Sequence, residues 1–124
     1  MKTKKKILYV DDEEINILLF KTLMSKNYEV ITANNGEHGL EMLKNNTVDF
    51  VISDMRMPGM TGLEFIKKAN EIYSEIQYFI LTGYSIDDEI EDAIKSNLIV
   101  KYWGKPGDFE AIDKFAWHNI GMHL

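Results

Sequence analysis

The chain has 124 residues, no cysteine and a formal net charge of −6. That length is one ordinary domain, residues 1–124, large enough to bury a single core without staples. The composition excludes a disulfide framework and thiolate chemistry, and the acidic balance argues against a nucleic-acid-binding face.

No stretch approaches the ~20 apolar residues of a membrane span. The basic start, Met1 to Lys6, is followed only by the short run Ile7 to Val10 before acids begin, so it is not a signal segment. Its four lysines read as a solvated lead-in to the first strand. The expected setting is cytoplasmic, with no membrane contact and no direct nucleic-acid binding by this domain.

Lys6 to Val10 reads as a strand, ended by Asp11-Asp12-Glu13-Glu14. Ile15, Leu18, Leu19 and Leu23 then recur at helical spacing, which predicts an amphipathic helix from Glu14 to about Lys26. Its acidic start suits a helix N-terminus. Tyr28 to Ala33 is a second strand, with Asn34-Asn35-Gly36 as the turn after it. Leu40 and Leu43 mark a helix from about Glu37 to Lys44.

Asp49 to Ser53 is the third strand, and its short apolar run Phe50 to Ile52 reads as covered on both faces. Asp54 stands where that strand becomes a loop broken by Pro58, Gly59 and Gly62. Leu63, Ile66, Ala69 and Ile72 give a third helix. Gln77 to Leu81 is a fourth strand, ended by Thr82-Gly83. Ile86, Ile90, Ala93 and Ile94 give a fourth helix, and Ile99 to Trp103 a fifth strand. After Gly104-Lys105-Pro106-Gly107, Asp108 is the expected N-cap of a last helix carrying Phe109, Ile112, Phe115 and Ala116.

Alternation of strand and helix along the whole chain implies a parallel sheet wrapped by helices, with right-handed crossovers. The carboxyl ends of the strands then share one edge, where open α/β sheets keep their chemistry. Those ends carry Asp11 and Asp12, Asp54, Thr82 and Lys105.

Three carboxylates brought together repel. Two unit charges ~4 Å apart cost ~1 kcal/mol in water-like surroundings and ~4 kcal/mol at an effective dielectric of ~20. Either one carboxyl is protonated or a cation is bound. Hard oxygen ligands favour Mg²⁺ over zinc, and His38, His118 and His123 have no ligand spacing that would argue otherwise. A divalent cation and a lysine facing one aspartate describe a place for a phosphoryl group, and carboxylate nucleophiles do form aspartyl-phosphates. Thr82 offers a hydroxyl to a phosphoryl oxygen. Each residue alone has a plainer reading. Asp11 and Asp12 would cap the first helix, Lys105 would be a surface lysine, and Thr82 would close a turn.

The chain resembles the receiver domain of bacterial two-component response regulators. The resemblance is carried by Val10-Asp11-Asp12-Glu13, by Tyr28 to Gly36, by Asp54-Met55-Arg56-Met57-Pro58-Gly59-Met60-Thr61-Gly62-Leu63-Glu64, by Leu81-Thr82-Gly83-Tyr84 and by Tyr102-Trp103-Gly104-Lys105-Pro106. It implies a flavodoxin-like, doubly wound (βα)5 fold with strand order 2-1-3-4-5.

It further implies Asp54 as phosphoacceptor and Mg²⁺ as cofactor, held by Asp12, Asp54 and the backbone carbonyl of Arg56, with Asp11 acting through a coordinated water. Lys105 would contact the phosphoryl group through a loop with a cis Lys105-Pro106 bond. Thr82 and Tyr102 would be the switch residues, and Arg56 and Tyr84 would tune phosphate lifetime. Tyr102 and Trp103 must lie on opposite faces of their strand, and Tyr102 is the expected switch aromatic.

The implied partners are a sensor histidine kinase or a histidine phosphotransfer protein, docking over the first helix and the rim. Downstream stands an output domain or partner protein, addressed through the surface of helix 4, strand 5 and helix 5, which is also the implied homodimer face. Asp87, Asp88, Glu89, Glu91 and Asp92 make the start of helix 4 acidic, and a solvated face is the plain reading.

Two features depart from the family pattern. His38-Gly39 stands where Glu-Ala is frequent, and glycine inside a helix costs ~1 kcal/mol relative to alanine, so a weak second helix is expected. Leu98-Ile99 replaces Gly-Ala before the fifth strand. Two other classes compete with the phosphoacceptor switch. One is a phosphorylation-independent pseudo-receiver, against which the full set of Asp11, Asp12, Asp54, Thr82 and Lys105 argues. The other is a flavin-binding protein or small phosphohydrolase. A flavin phosphate would want a Ser/Thr/Gly loop after the first strand, and a hydrolase of the haloacid-dehalogenase type would want Asp-x-Asp where Met55-Arg56 follow Asp54.

Overall fold

A computed structural model describes residues 4–83 and 87–105, with residues 112 and 114. The elements run β1 (Lys5–Val10), α1 (Glu14–Met24), β2 (Tyr28–Ala33), α2 (Gly36–Asn45), β3 (Phe50–Ser53), α3 (Gly62–Ile72), β4 (Gln77–Thr82), α4 (Asp88–Lys95) and β5 (Lys101–Gly104). The strands form one parallel sheet in the order β2-β1-β3-β4-β5. This is the flavodoxin-like arrangement, with the topological switch point between β1 and β3. Asp108, Phe109, Phe115 and Ala116, with the helix expected there, lie outside the described residues, as do Tyr84, Ile86 and Pro106.

Period-2 alternation sorts the strands into two cores. Leu8 and Val10, Val51, Tyr78 and Ile80 face one side, under α2, α3 and α4. Ile7 and Tyr9, Phe50 and Ile52, Phe79 and Leu81 face the other, against Phe20 and Met24 of α1 and the buried Ile112. Because helices cover both faces, β3 is buried at every residue.

The face of α1 differs from the expectation. Ile15, Leu18, Leu19 and Leu23 are between 45 and 68 % exposed, while Phe20 and Met24 are the residues packed inward. The helix carries two apolar stripes. The sheet takes the one that offers a ring to stack, Phe20 lying flat on Tyr9 at 4.1 Å with 3° between the planes. Ile72 likewise ends α3 exposed rather than on its core face.

β5 begins later than expected. Ile99 is buried, but its N–H donates to Ala93 O (3.2 Å) and that of Leu98 to the same oxygen (2.9 Å), so both belong to the close of α4. The turn is made by Asn97, whose φ of 64° is left-handed. Asn tolerates that region better than other residues with a β-carbon, and so serves here where glycine is frequent.

Gly39 is not a weak point in α2. A β-carbon there would lie 2.8 Å and 2.9 Å from Cε1 and Cζ of Phe65 on α3. The glycine is the notch that lets the Phe65 ring into the core between the two helices. α2 is also capped, Asn35 Oδ1 accepting from the N–H of His38 at 2.7 Å.

Candidate functional site

The site is built from strand ends. The Asp54 N–H donates to Val10 O (2.8 Å), the Asp11 N–H to Ala33 O (3.1 Å), and the Lys105 N–H to Thr82 O (2.8 Å). Each bond extends the sheet ladder by a step and sets the following side chain at the rim. Behind Asp54 the loop must turn back into α3. Gly62 makes this close return, its N–H on Met55 O at 2.8 Å, and a β-carbon on Gly62 would overlap the Asp54 carbonyl oxygen. Thr61 and Glu64 then start α3 with a reciprocal capping box.

Carboxylate oxygens of Asp11, Asp12 and Asp54 all lie within 4.8 Å of one another. Asp11 is wholly buried and Asp54 is 4 % exposed, whereas Asp12 faces solvent. Lys105 Nζ lies 2.7 Å from Asp11 Oδ2 and 3.2 Å from Asp54 Oδ2. Asp54 Oδ1 accepts from the N–H of Met55 at 2.8 Å. Asp11 is held at three points: Oδ2 accepts from Lys105 Nζ and from the Tyr9 hydroxyl, both at 2.7 Å, and Oδ1 from the N–H of Glu13 at 3.0 Å.

These contacts set the electrostatics. Burial raises the Asp54 carboxyl above the usual carboxylate range; Lys105 opposes this, and the Asp11 charge adds to it. For Lys105, burial alone would lower the ammonium, but its hydrogen bond to Asp11 and the charges of Asp54 and Asp11 outweigh that and raise it. The two shifts differ in their main cause, burial for Asp54 and the neighbouring carboxylates for Lys105. With three carboxylates against one ammonium, a divalent cation would complete the neutralisation. Clustered hard oxygens with one open, solvated side fit Mg²⁺.

The structure thus brings together Asp11, Asp12, Asp54 and Lys105 as the sequence led one to expect. Thr82 is buried at the end of β4, and its carbonyl orients Lys105. Arg56 is exposed on the loop after Asp54. Tyr102 and Trp103 do face opposite ways. Tyr102 is half-buried against the α4 side, while Trp103 stacks on Phe79 at 5.3 Å on the α1 side. Tyr84 and the Lys105-Pro106 bond fall outside the described residues.

Sequence reasoning passed over the Tyr9 hydroxyl. The available signal was a phenol in an aliphatic strand, two residues before an acid and therefore on its side of the strand.

Comparison with known proteins agrees with this geometry. The family model described as the response regulator receiver domain matches residues 7–115. Sporulation initiation phosphotransferase F of Bacillus subtilis is 33% identical over 109 residues, covering 87% of each chain. Transcriptional regulatory protein ZraR of Klebsiella oxytoca is 35% identical over 107 residues, or 86% of this chain, but the match spans only 24% of that longer protein.

Among solved structures, an adenylate cyclase from Rhodopirellula baltica superposes with a TM-score of 0.89 at 29% identity, covering 96% of this chain and 89% of the other. The response regulator TrrA from Thermotoga maritima, in complex with Mg²⁺-BeF, gives 0.76 at 31% identity, covering 92% and 97%. A rim of acids on a 2-1-3-4-5 sheet, matched along nearly its whole length, places this chain in the response regulator receiver domain family.

Proposed function

We propose that the domain accepts a phosphoryl group on Asp54 and passes the change to its α4–β5 surface. One observation carries this reading: a nearly buried carboxylate at the end of the central strand, with an ammonium at 3.2 Å and two further carboxylates alongside. Asp12, Asp54 and the Arg56 carbonyl would hold Mg²⁺, with Asp11 behind a coordinated water. When bound, the ion supplies charge neutralisation for the phosphoryl oxygens.

The protein's own groups do the rest. Asp54 offers an oxygen along the line of attack, and Lys105 draws negative charge from the phosphoryl group. An O–P bond forms to Asp54 while the donor's P–N bond breaks, and the freed imidazole takes up a proton. Small phosphodonors would serve as well, and loss of phosphate to water would reset the domain. No other enzymatic activity is invoked.

The donor is a phosphohistidine on a kinase or phosphotransfer protein. The exposed stripe Ile15, Leu18, Leu19 and Leu23 supports docking over α1. That helix starts beside Asp12, so a helical partner seated on it brings its histidine to the rim. The aspartyl-phosphate carries roughly −1.5 to −2 charge relative to a neutral acceptor. Thr82 and Tyr102 then shift with it, biasing a pre-existing equilibrium. Arg56 and Tyr84 would tune the phosphate lifetime. An output domain, a partner protein or a second copy reads the α4–β5 surface.

The experiment is incubation with Mg²⁺ and acetyl phosphate or phosphoramidate, then intact mass, with a phosphorylated histidine donor as a parallel arm. A gain of one phosphate, absent in Asp54→Ala, is expected. No gain from any donor, or an equal gain in Asp54→Ala, would overturn the reading in favour of a phosphorylation-independent module.

A further inference from the structure

Tyr9 stands in the layer beneath α1, among Ile7, Ile52, Phe20 and Phe79. Phenylalanine would fill the same volume and keep the stack on Phe20. Only the hydroxyl sets tyrosine apart, and burying one in an apolar layer costs free energy unless it is bonded. Here it is bonded to the site itself, donating to Asp11 Oδ2 at 2.7 Å. That oxygen is the one Lys105 Nζ also holds at 2.7 Å, on a carboxylate with no exposed surface.

The sharing has a consequence for Lys105. Resting between Asp11 and Asp54, the ammonium must loosen its hold on Asp11 to meet a phosphoryl oxygen arriving at Asp54. A buried carboxylate that loses a donor is left under-bonded, which opposes the movement. The Tyr9 hydroxyl leaves Asp11 Oδ2 with a neutral donor when Lys105 turns away. The Glu13 N–H on the other oxygen keeps the carboxylate from rotating.

We propose that Tyr9 is a positioning residue, whose hydroxyl holds Asp11 in place and so releases Lys105 toward the phosphoryl group. This rests on the phosphoacceptor reading of Asp54. Tyr9 touches neither donor nor phosphate. It acts through Asp11 and Lys105, and the rigid stack on Phe20 fixes where its hydroxyl can point.

The test is Tyr9→Phe, which keeps ring and stack, measured beside wild type and Asp54→Ala. Two readouts are taken at saturating Mg²⁺: the rate of labelling by phosphoramidate, and the calorimetric affinity for beryllofluoride, a phosphoryl mimic requiring no reaction. Each is expected to fall about 3- to 10-fold, the effect of one hydrogen bond that must change partners. Mg²⁺ affinity alone should stay within about 2-fold, because the acids remain.

In a Lys105→Met background, Tyr9→Phe should change beryllofluoride affinity no further, since the hydroxyl acts through that lysine. Unchanged rate and affinity in Tyr9→Phe, or an undiminished effect without Lys105, overturns the proposal. Should Tyr9→Phe melt early, Tyr9→Leu decides. Beryllofluoride affinity that follows melting temperature across the two variants means a structural role only, and overturns the proposal as well. Wild type that takes no phosphate from any donor refutes the phosphoacceptor reading instead, a separate result.

Discussion

Gly39 of α2 and Phe65 of α3 are a matched pair: the missing side chain of one is the space occupied by the ring of the other. A β-carbon at 39 would approach Cε1 of Phe65 to 2.8 Å, and Val10 Cγ2 lies 3.3 Å away on a second side. Helix propensity alone predicts that Gly39→Ala stabilises by ~1 kcal/mol. Overpacking a filled core costs ~1–3 kcal/mol, and here it wins. The expected outcome is a lower urea midpoint with an unchanged slope, a net loss of about 1 kcal/mol. Combining Gly39→Ala with Phe65→Leu should recover part of it.

Gly62→Ala is expected to be more severe, since what it meets is the carbonyl of Asp54, a backbone atom that cannot swing aside. Moving it displaces the acceptor carboxylate. Thermal unfolding should show a loss of about 2 kcal/mol or more, in the range of strained backbone substitutions. Phosphoramidate labelling should fall further than the stability loss explains.

Without metal, Asp54 works against the fold at neutral pH. Burial raises its carboxyl, and a carboxyl raised on folding adds stability while protonated. That contribution is complete below the ordinary carboxylate value of about 4 and is lost as pH rises through the raised folded value. In EDTA, Asp54→Asn should therefore melt above wild type at pH 7, with the gap closing as pH falls toward 4. Adding Mg²⁺ should raise wild type more than the variant, by mass action on the folded state. Lys105 has the opposite partner arrangement and the same sign. Raised by its acids, it stabilises until pH climbs through its folded value.

The two faces of α1 separate stability from recognition. Leu18→Ser together with Ile15→Ser should change stability by less than about 0.5 kcal/mol, as surface substitutions do. Labelling by acetyl phosphate should be untouched, and transfer from a phosphohistidine partner should drop at least tenfold. Phe20→Ala should cost about 3–5 kcal/mol, because it empties the space against Tyr9. Paired melts and phosphotransfer time courses check both.

Residues whose meaning is local were legible in the sequence. The alternation of strands and helices, the acids at 11, 12 and 54, and Lys105 after the fifth strand follow from hydrophobic period, breakers and the shared edge of a parallel sheet. Tertiary structure alone decided the rest. α1 is apolar on two stripes, and its own period cannot say which one the sheet accepts. Phe20 is inside because Tyr9 offers a ring across the gap, which leaves Ile15 and Leu18 outside. Ile99 is buried as a strand residue would be, yet its N–H closes α4. Gly39 looked like a weakness because propensity sees only the helix it stands in, whereas Phe65 comes from another. The sequence put the Tyr9 hydroxyl on the side of Asp11 but could not show its worth, which depends on Lys105, ninety-six positions away in the chain and joined to it through Asp11. Sequence periodicity is a one-dimensional signal, while packing volume and shared hydrogen bonds depend on which surfaces the fold brings face to face.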